Sequence, residues 1–316
     1  MAIRVVTDSG SALADGDTEL VVLPLTVRIG DREYREGLEV GADDIAEAMR
    51  SGEKVTTSQV PTEVFRRTFD RLLSEGADGI VSVHLSGKLS GTVSAARTAA
   101  ADFNGRVTVV DSQGAAMAQG YPARAAATEA AQGGSQAEVE RAALQTIPGL
   151  HTYFYLSTLE HLRRGGRIGT ARALMGTALS VKPILELSDG TIYMREKVRT
   201  PSRGLQRLAA LTEKAIDGKP TELTIHHLAS PRNAHALAEW WRKHYSEQVS
   251  TVDIVEVGAA IGAHCGPGVV AIVASTGRFE SEWDATSPPT AELSTALSTG
   301  GIFHRLPSAR GFSCQT

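Results

Sequence analysis

Cysteine is nearly missing from this sequence: Cys265 and Cys314 are the only two, far apart and in no Cys-x-x-Cys pair. That scarcity excludes a disulfide framework and a thiolate metal site, and it suits a reducing cytoplasm. Long apolar runs are also missing, since none approaches the roughly 18–20 residues that a membrane helix needs. Arg4 and Asp8 interrupt the first strand-like stretch where a signal peptide would be continuous. The expectation is a chain that stays inside the cell with no integral membrane association. Positive charge is in no excess either: the formal net charge is -4, with none of the basic footprint that marks nucleic-acid binding. HExxH, GxSxG and the kinase signature set do not occur. No carboxylate or cysteine stands at ligand spacing from the His226-His227 pair, so no metal is expected.

What is present is an alternation of β-branched apolar runs and helical periodicity over 316 residues, which predicts an α/β protein of two domains. The first, mostly parallel domain spans 1–150, a second α/β domain containing a β-hairpin spans 151–275, and a flexible tail rich in Ser, Thr, Pro and Gly fills 276–316. In the first half, strands are expected at Ile3–Thr7, Leu20–Ile29, Gly79–Leu85 and Val107–Asp111. Helices are expected at Asp43–Arg50, Thr62–Ser74 with Thr62 as N-cap, Thr92–Ala101 and Met117–Ala131, followed by one opened by the Ser135/Glu138 capping box. In the second half, strands at Thr152–Leu156 and Ser180–Leu187 bracket a Gly-rich bend and a helical pattern at Thr170–Ala178. Ser188-Asp189-Gly190 predicts a hairpin turn. Helical faces follow at Leu205–Ile216 and Ala234–Tyr245, with strands at Leu223–His227, Val252–Val257 and Val269–Ala274.

Four segments carry chemistry. Thr57-Ser58-Gln59 offers hydroxyls and backbone N–H groups at a helix start, which either cap the helix or hold an anion. Ser86-Gly87-Lys88-Leu89-Ser90-Gly91-Thr92 joins a buried strand to a helix; it is either a tight βα turn or a ligand loop with Ser90 at the carboxyl end of the sheet. Arg163-Arg164-Gly165-Gly166-Arg167 supplies planar forks for a carboxylate or phosphate, unless these are solvated loop charges. His264 precedes Gly266-Pro267-Gly268 as either a turn residue or a group that titrates near neutrality. Activation of Cys265 by His264 is disfavoured, because neighbours on an extended chain point apart.

Taken in order, Thr7-Asp8-Ser9, Thr57-Ser58-Gln59, Leu89-Ser90-Gly91-Thr92, Asp111-Ser112, Arg164-Gly165-Gly166-Arg167-Ile168, Val181-Lys182-Pro183-Ile184, Val198-Arg199-Thr200 and His264 before Gly266-Pro267-Gly268 resemble the successive motifs of the DegV family. The set spans about residues 4–275. Val60-Pro61, Gly87 and Ala271 depart from the usual pattern and touch only the mouth of a pocket. The resemblance implies a long-chain fatty acid between two domains, with its carboxylate on Thr57, Ser58 and Ser90. It implies no cofactor beyond that ligand, and a carrier rather than an enzyme. The partner it implies is a separate ATP-dependent fatty acid kinase that makes an acyl phosphate, with Arg167 and His264 serving phosphotransfer or docking. The alternative is an acyl hydrolase with Ser90 as nucleophile and His264 as base; it lacks a nucleophile elbow and a third member.

Overall fold

The computed structural model describes residues 2–13, 20–169 and 182–277. The chain is an α/β protein whose described residues form three sheets. Strands β1 (Ile3–Asp8), β2 (Leu20–Leu23), β6 (Gly79–His84) and β7 (Val107–Asp111) form a four-stranded sheet of order β2-β1-β6-β7, parallel throughout. Its inner strands read Ile-Arg-Val-Val-Thr-Asp and Gly-Ile-Val-Ser-Val-His and are buried on both faces, as parallel strands covered by helices must be. Helices α2 (Thr62–Ser74), α3 (Thr92–Ala100), α4 (Met117–Ala131) and α5 (Gln136–Thr146) provide that cover. α5 opens on the expected Ser135/Glu138 capping box.

The run expected as one strand over 20–29 is two. Pro24 cannot donate a ladder hydrogen bond, so pairing stops at Leu23, and Thr26–Ile29 (β3) starts a different sheet. There β3 lies between β4 (Arg32–Arg35) and β5 (Val55–Ser58), both antiparallel to it. α1 (Ala42–Arg50) connects β4 to β5. The N-cap of α2 is Pro61, not Thr62: the fixed φ of Pro61 suits the entry, and Thr62 is already helical with no side-chain cap bond.

The third sheet holds six strands in the order β10-β9-β8-β13-β11-β12: β8 (Leu150–Tyr155), β9 (Lys182–Ser188), β10 (Thr191–Val198), β11 (Thr221–His227), β12 (Val249–Glu256) and β13 (Val270–Thr276). Only β11 and β12 pair in parallel. The hairpin forms as the sequence predicts, with Asp189 and Gly190 at φ 49° and 73°. Helices α7 (Pro201–Ile216) and α8 (Pro231–His244) pack one face of this sheet around the buried Trp241. The other face looks toward the N-terminal sheets.

The short α6 (Glu160–Gly165) carries the arginine motif. α9 (Ala259–Cys265) replaces the loop expected around His264, so His264 and Cys265 are successive residues of a helix rather than of an extended chain. The helical pattern at 170–178 lies outside the described residues, as does the tail beyond Gly277. Among the described residues no helix is long and apolar enough to cross a membrane.

Candidate functional site

A cavity opens between the N-terminal sheets and the free face of the six-stranded sheet, with about 960 Å³ of empty space counted out to its mouth. Its walls are apolar: Leu25, Leu85 and Leu89 on one side, Phe154, Leu187 and Val269 on the other. Most of the polar side chains gather at one end, where Thr57, Ser58, Gln59, Ser90, Arg167 and His264 meet. The four segments singled out in the sequence therefore converge.

Each arrives by a different route. β5 presents Thr57, half-buried, while Ser58 points more to solvent. The loop after β6 brings Ser90, whose hydroxyl lies 2.9 Å from that of Thr92. Gly91 lets the Gln59 side chain lie against the loop, since a Cβ would stand 1.8 Å from Gln59 Oε1. Arg167 is fixed by donating from Nε to the Leu89 carbonyl at 3.1 Å and from Nη1 to the Gly165 carbonyl at 2.6 Å. Gly165 lets His264 approach, because a Cβ there would lie 2.2 Å from Nδ1 of the ring.

His264 Nε2 sits 2.8 Å from the Thr57 hydroxyl, across 207 positions of sequence. Its Nδ1 is buried with no partner among the described residues. An orphan acceptor costs less than an orphan N–H, so the network assigns the proton to Nε2, donated to Thr57. The Thr57 hydroxyl proton is then free to point at an acceptor in the cavity. Burial and the Arg167 charge lower the His264 pKa to about 4, so the ring is neutral at pH 7. Ser90 and His264 are not hydrogen-bonded to each other, so the nucleophile–base pair of a hydrolase is not formed. Burial pushes the Cys265 thiol up to about 12, which keeps it protonated and a poor nucleophile.

Thr57, Arg167 and His264 also line a second cleft with Lys54, His161, Arg164 and one carboxylate, Glu53. They form the partition between an apolar chamber and a cationic surface recess. An acidic group held at the partition is reachable from the recess while its apolar part stays inside.

Two features escaped the sequence reading. Glu36, 5% exposed, accepts from the backbone N–H of Ala260 at 2.7 Å and from the Ser9 hydroxyl, supplying an N-terminal cap to α9 from a distant segment. Burial raises its pKa. Ser82, His84 and Asp8 form a Ser-His-Asp chain, 2.6 Å from Ser82 Oγ to His84 Nε2 and 2.7 Å from His84 Nδ1 to Asp8 Oδ2. All three are fully buried away from the cavity, where the chain ties β6 to the turn after β1 and meets no substrate. Only strand partners in three dimensions reveal either feature.

Comparison with known proteins agrees with the geometry. Residues 2–277 match the family described as "Uncharacterised protein, DegV family". A DegV domain-containing protein of Streptomyces coelicolor is 44% identical over 277 residues, covering 87% of this chain and 98% of that protein. Among solved structures, a DegV family protein from Thermus thermophilus with fatty acid binding superposes with a TM-score of 0.82 at 33% identity, over 87% of this chain and 100% of that one. DegV of Bacillus subtilis, a fatty acid binding protein, superposes with a TM-score of 0.79 at 29% identity, over 88% and 100%.

Proposed function

Because the chain belongs to the DegV family, we propose that it carries a long-chain fatty acid in the cavity between its sheets, carboxylate at Thr57, Ser58 and Ser90. The observation that carries this reading is one largely apolar chamber with hydroxyls, Arg167 and His264 gathered at one end. A buried carboxylate is costly unless hydrogen-bonded, and the freed Thr57 proton with the Ser90 hydroxyl supplies donors. The chain supplies affinity: about fourteen methylenes at roughly 0.8 kcal/mol each contribute on the order of 11 kcal/mol, against association costs of about 4–15 kcal/mol. The two halves, 1–150 and 151–275, act as separate domains that hold the ligand between them.

The carrier presents the carboxylate through the partition to a separate ATP-dependent fatty acid kinase, which forms an acyl phosphate on the bound ligand. Lys54, Arg164 and Arg167 around the recess favour the negative charge gathered there. The protein works in the cytoplasm and needs no cofactor of its own. The test is transfer from ATP to fatty acid with a candidate kinase, in the presence and absence of this protein. Acyl phosphate formed only when both proteins are present supports the reading. Ester cleavage by this protein alone contradicts it.

A further inference from the structure

The far end of the cavity holds an unexplained polar group. β13 runs along the chamber, and from Val269 to Val273 it advances four residues, about 13 Å at about 3.3 Å per residue. Register pairs Val273 with Thr152 of β8 on one side and Thr224 of β11 on the other. His226 stands one row nearer, beside Ala271. Thr152 and His226 therefore stand in the cavity wall, with Thr224 beside them in the sheet.

Two of them are satisfied. The Thr224 hydroxyl meets Tyr121 Oη at 2.9 Å. His226 Nδ1 lies 3.0 Å from the Val255 carbonyl, which can only accept, so Nε2 is left to accept from the Met117 N–H at 3.3 Å. Thr152 differs. It is 7% exposed and lines the cavity, and its hydroxyl forms no hydrogen bond with a described residue. Valine would fill the same volume on a strand, so the fold does not need the hydroxyl, which is left to whatever fills the cavity.

We propose that Thr152 is a specificity-determining residue that selects acyl chains bearing a hydrogen-bonding oxygen, a hydroxyl or carbonyl, in their distal half. The inference rests on the fatty-acid reading above. A Thr hydroxyl donates to a carbonyl or accepts from a hydroxyl with equal ease. A plain alkyl chain leaves it bare, so discrimination comes from the lost bond as well as the gained one.

Ricinoleic and oleic acids differ by one hydroxyl on the distal half of the same chain and test this directly. Binding of each to the delipidated full chain is measured by calorimetry for the wild type, Thr152→Val and Thr152→Ser. The wild type should prefer ricinoleate by about three- to tenfold, the worth of one net hydrogen bond. Thr152→Val should reverse that order by weakening ricinoleate and tightening oleate, and Thr152→Ser should restore it. A ratio that Thr152→Val leaves unchanged overturns the inference, including the case where both affinities shift together because a water held the hydroxyl. If oleate binds and only the ratio is flat, the carrier reading stands without this inference; if neither acid binds the wild type, both fall.

Discussion

The two ends of the cavity are built by opposite means. At the head end, β5, the loop after β6, the α6 bend and α9 each deliver one or two polar residues, and each contact is set by a close backbone approach such as Gly91 to Gln59 or Gly165 to His264. At the far end, β8, β11 and β13 supply a wall by strand alternation and register alone. The head end is therefore sensitive to single polar atoms, and the far end chiefly to volume, with the Thr152 hydroxyl as its proposed polar exception. Affinity should reside in the wall, and chemistry at the partition.

The strongest way to break that comparison is to fill the wall. Ala271→Phe places a ring mid-chamber and removes room for about six methylenes, about 5 kcal/mol at roughly 0.8 kcal/mol each, so fatty acid binding should weaken by about a thousandfold or more. Calorimetry with a urea melt as folding control checks it, and a stable variant that still binds would put the chain elsewhere. Next in size, Ser90→Ala and Thr57→Ala should each cost about 1.5–3 kcal/mol of binding, the range for hydrogen bonds to a charged group. The double variant should fall short of the sum, because both address one carboxylate.

Arg167→Ala and His264→Ala sharpen the contrast from the other side. Bound fatty acid should stay within about threefold of wild type, since these groups face the recess as much as the chain, while kinase-dependent acyl phosphate formation should drop to background. A His264 variant that supports transfer normally would remove the ring from the mechanism.

The smallest effect is on stability against pH. His226 and His264 titrate in the fold at about 4, against an ordinary value of 6.5. Below 6.5 the unfolded chain takes up protons that the folded chain refuses, so stability should be full above 6.5 and decline as pH falls toward 4. Glu36 acts in the opposite sense, because its raised carboxyl pKa makes the folded chain bind its proton first, a contribution lost as pH rises. The difference between wild type and His264→Asn isolates the ring: urea midpoints of the variant should slope less between pH 6.5 and 4.

The head end was legible in the sequence because its residues lie in short, glycine-marked motifs whose order survives without knowledge of contacts. Thr57, Ser58, Ser90, Arg167 and His264 all line the one cavity. The long helices and central strands were legible for another reason: Phe65, Phe69 and Leu72 repeat with the helix, and the two inner parallel strands are rich in Ile and Val. The three-stranded sheet was not, since β4 reads Arg-Glu-Tyr-Arg and alternates nothing apolar. α9 has seven residues, Ala-Ala-Ile-Gly-Ala-His-Cys, too few and too small to show a period, and its cap comes from Glu36 on another segment. Thr152 reads as an ordinary strand residue until register places it on the cavity wall.

The measurement closest to the central claim is mass spectrometry of the protein purified without detergent or organic solvent, under native and then denaturing conditions. One long-chain fatty acid per chain, released on denaturation and absent from Ala271→Phe, is the predicted result. A native mass equal to the bare polypeptide, in protein that also fails to take up added oleate, would contradict the account.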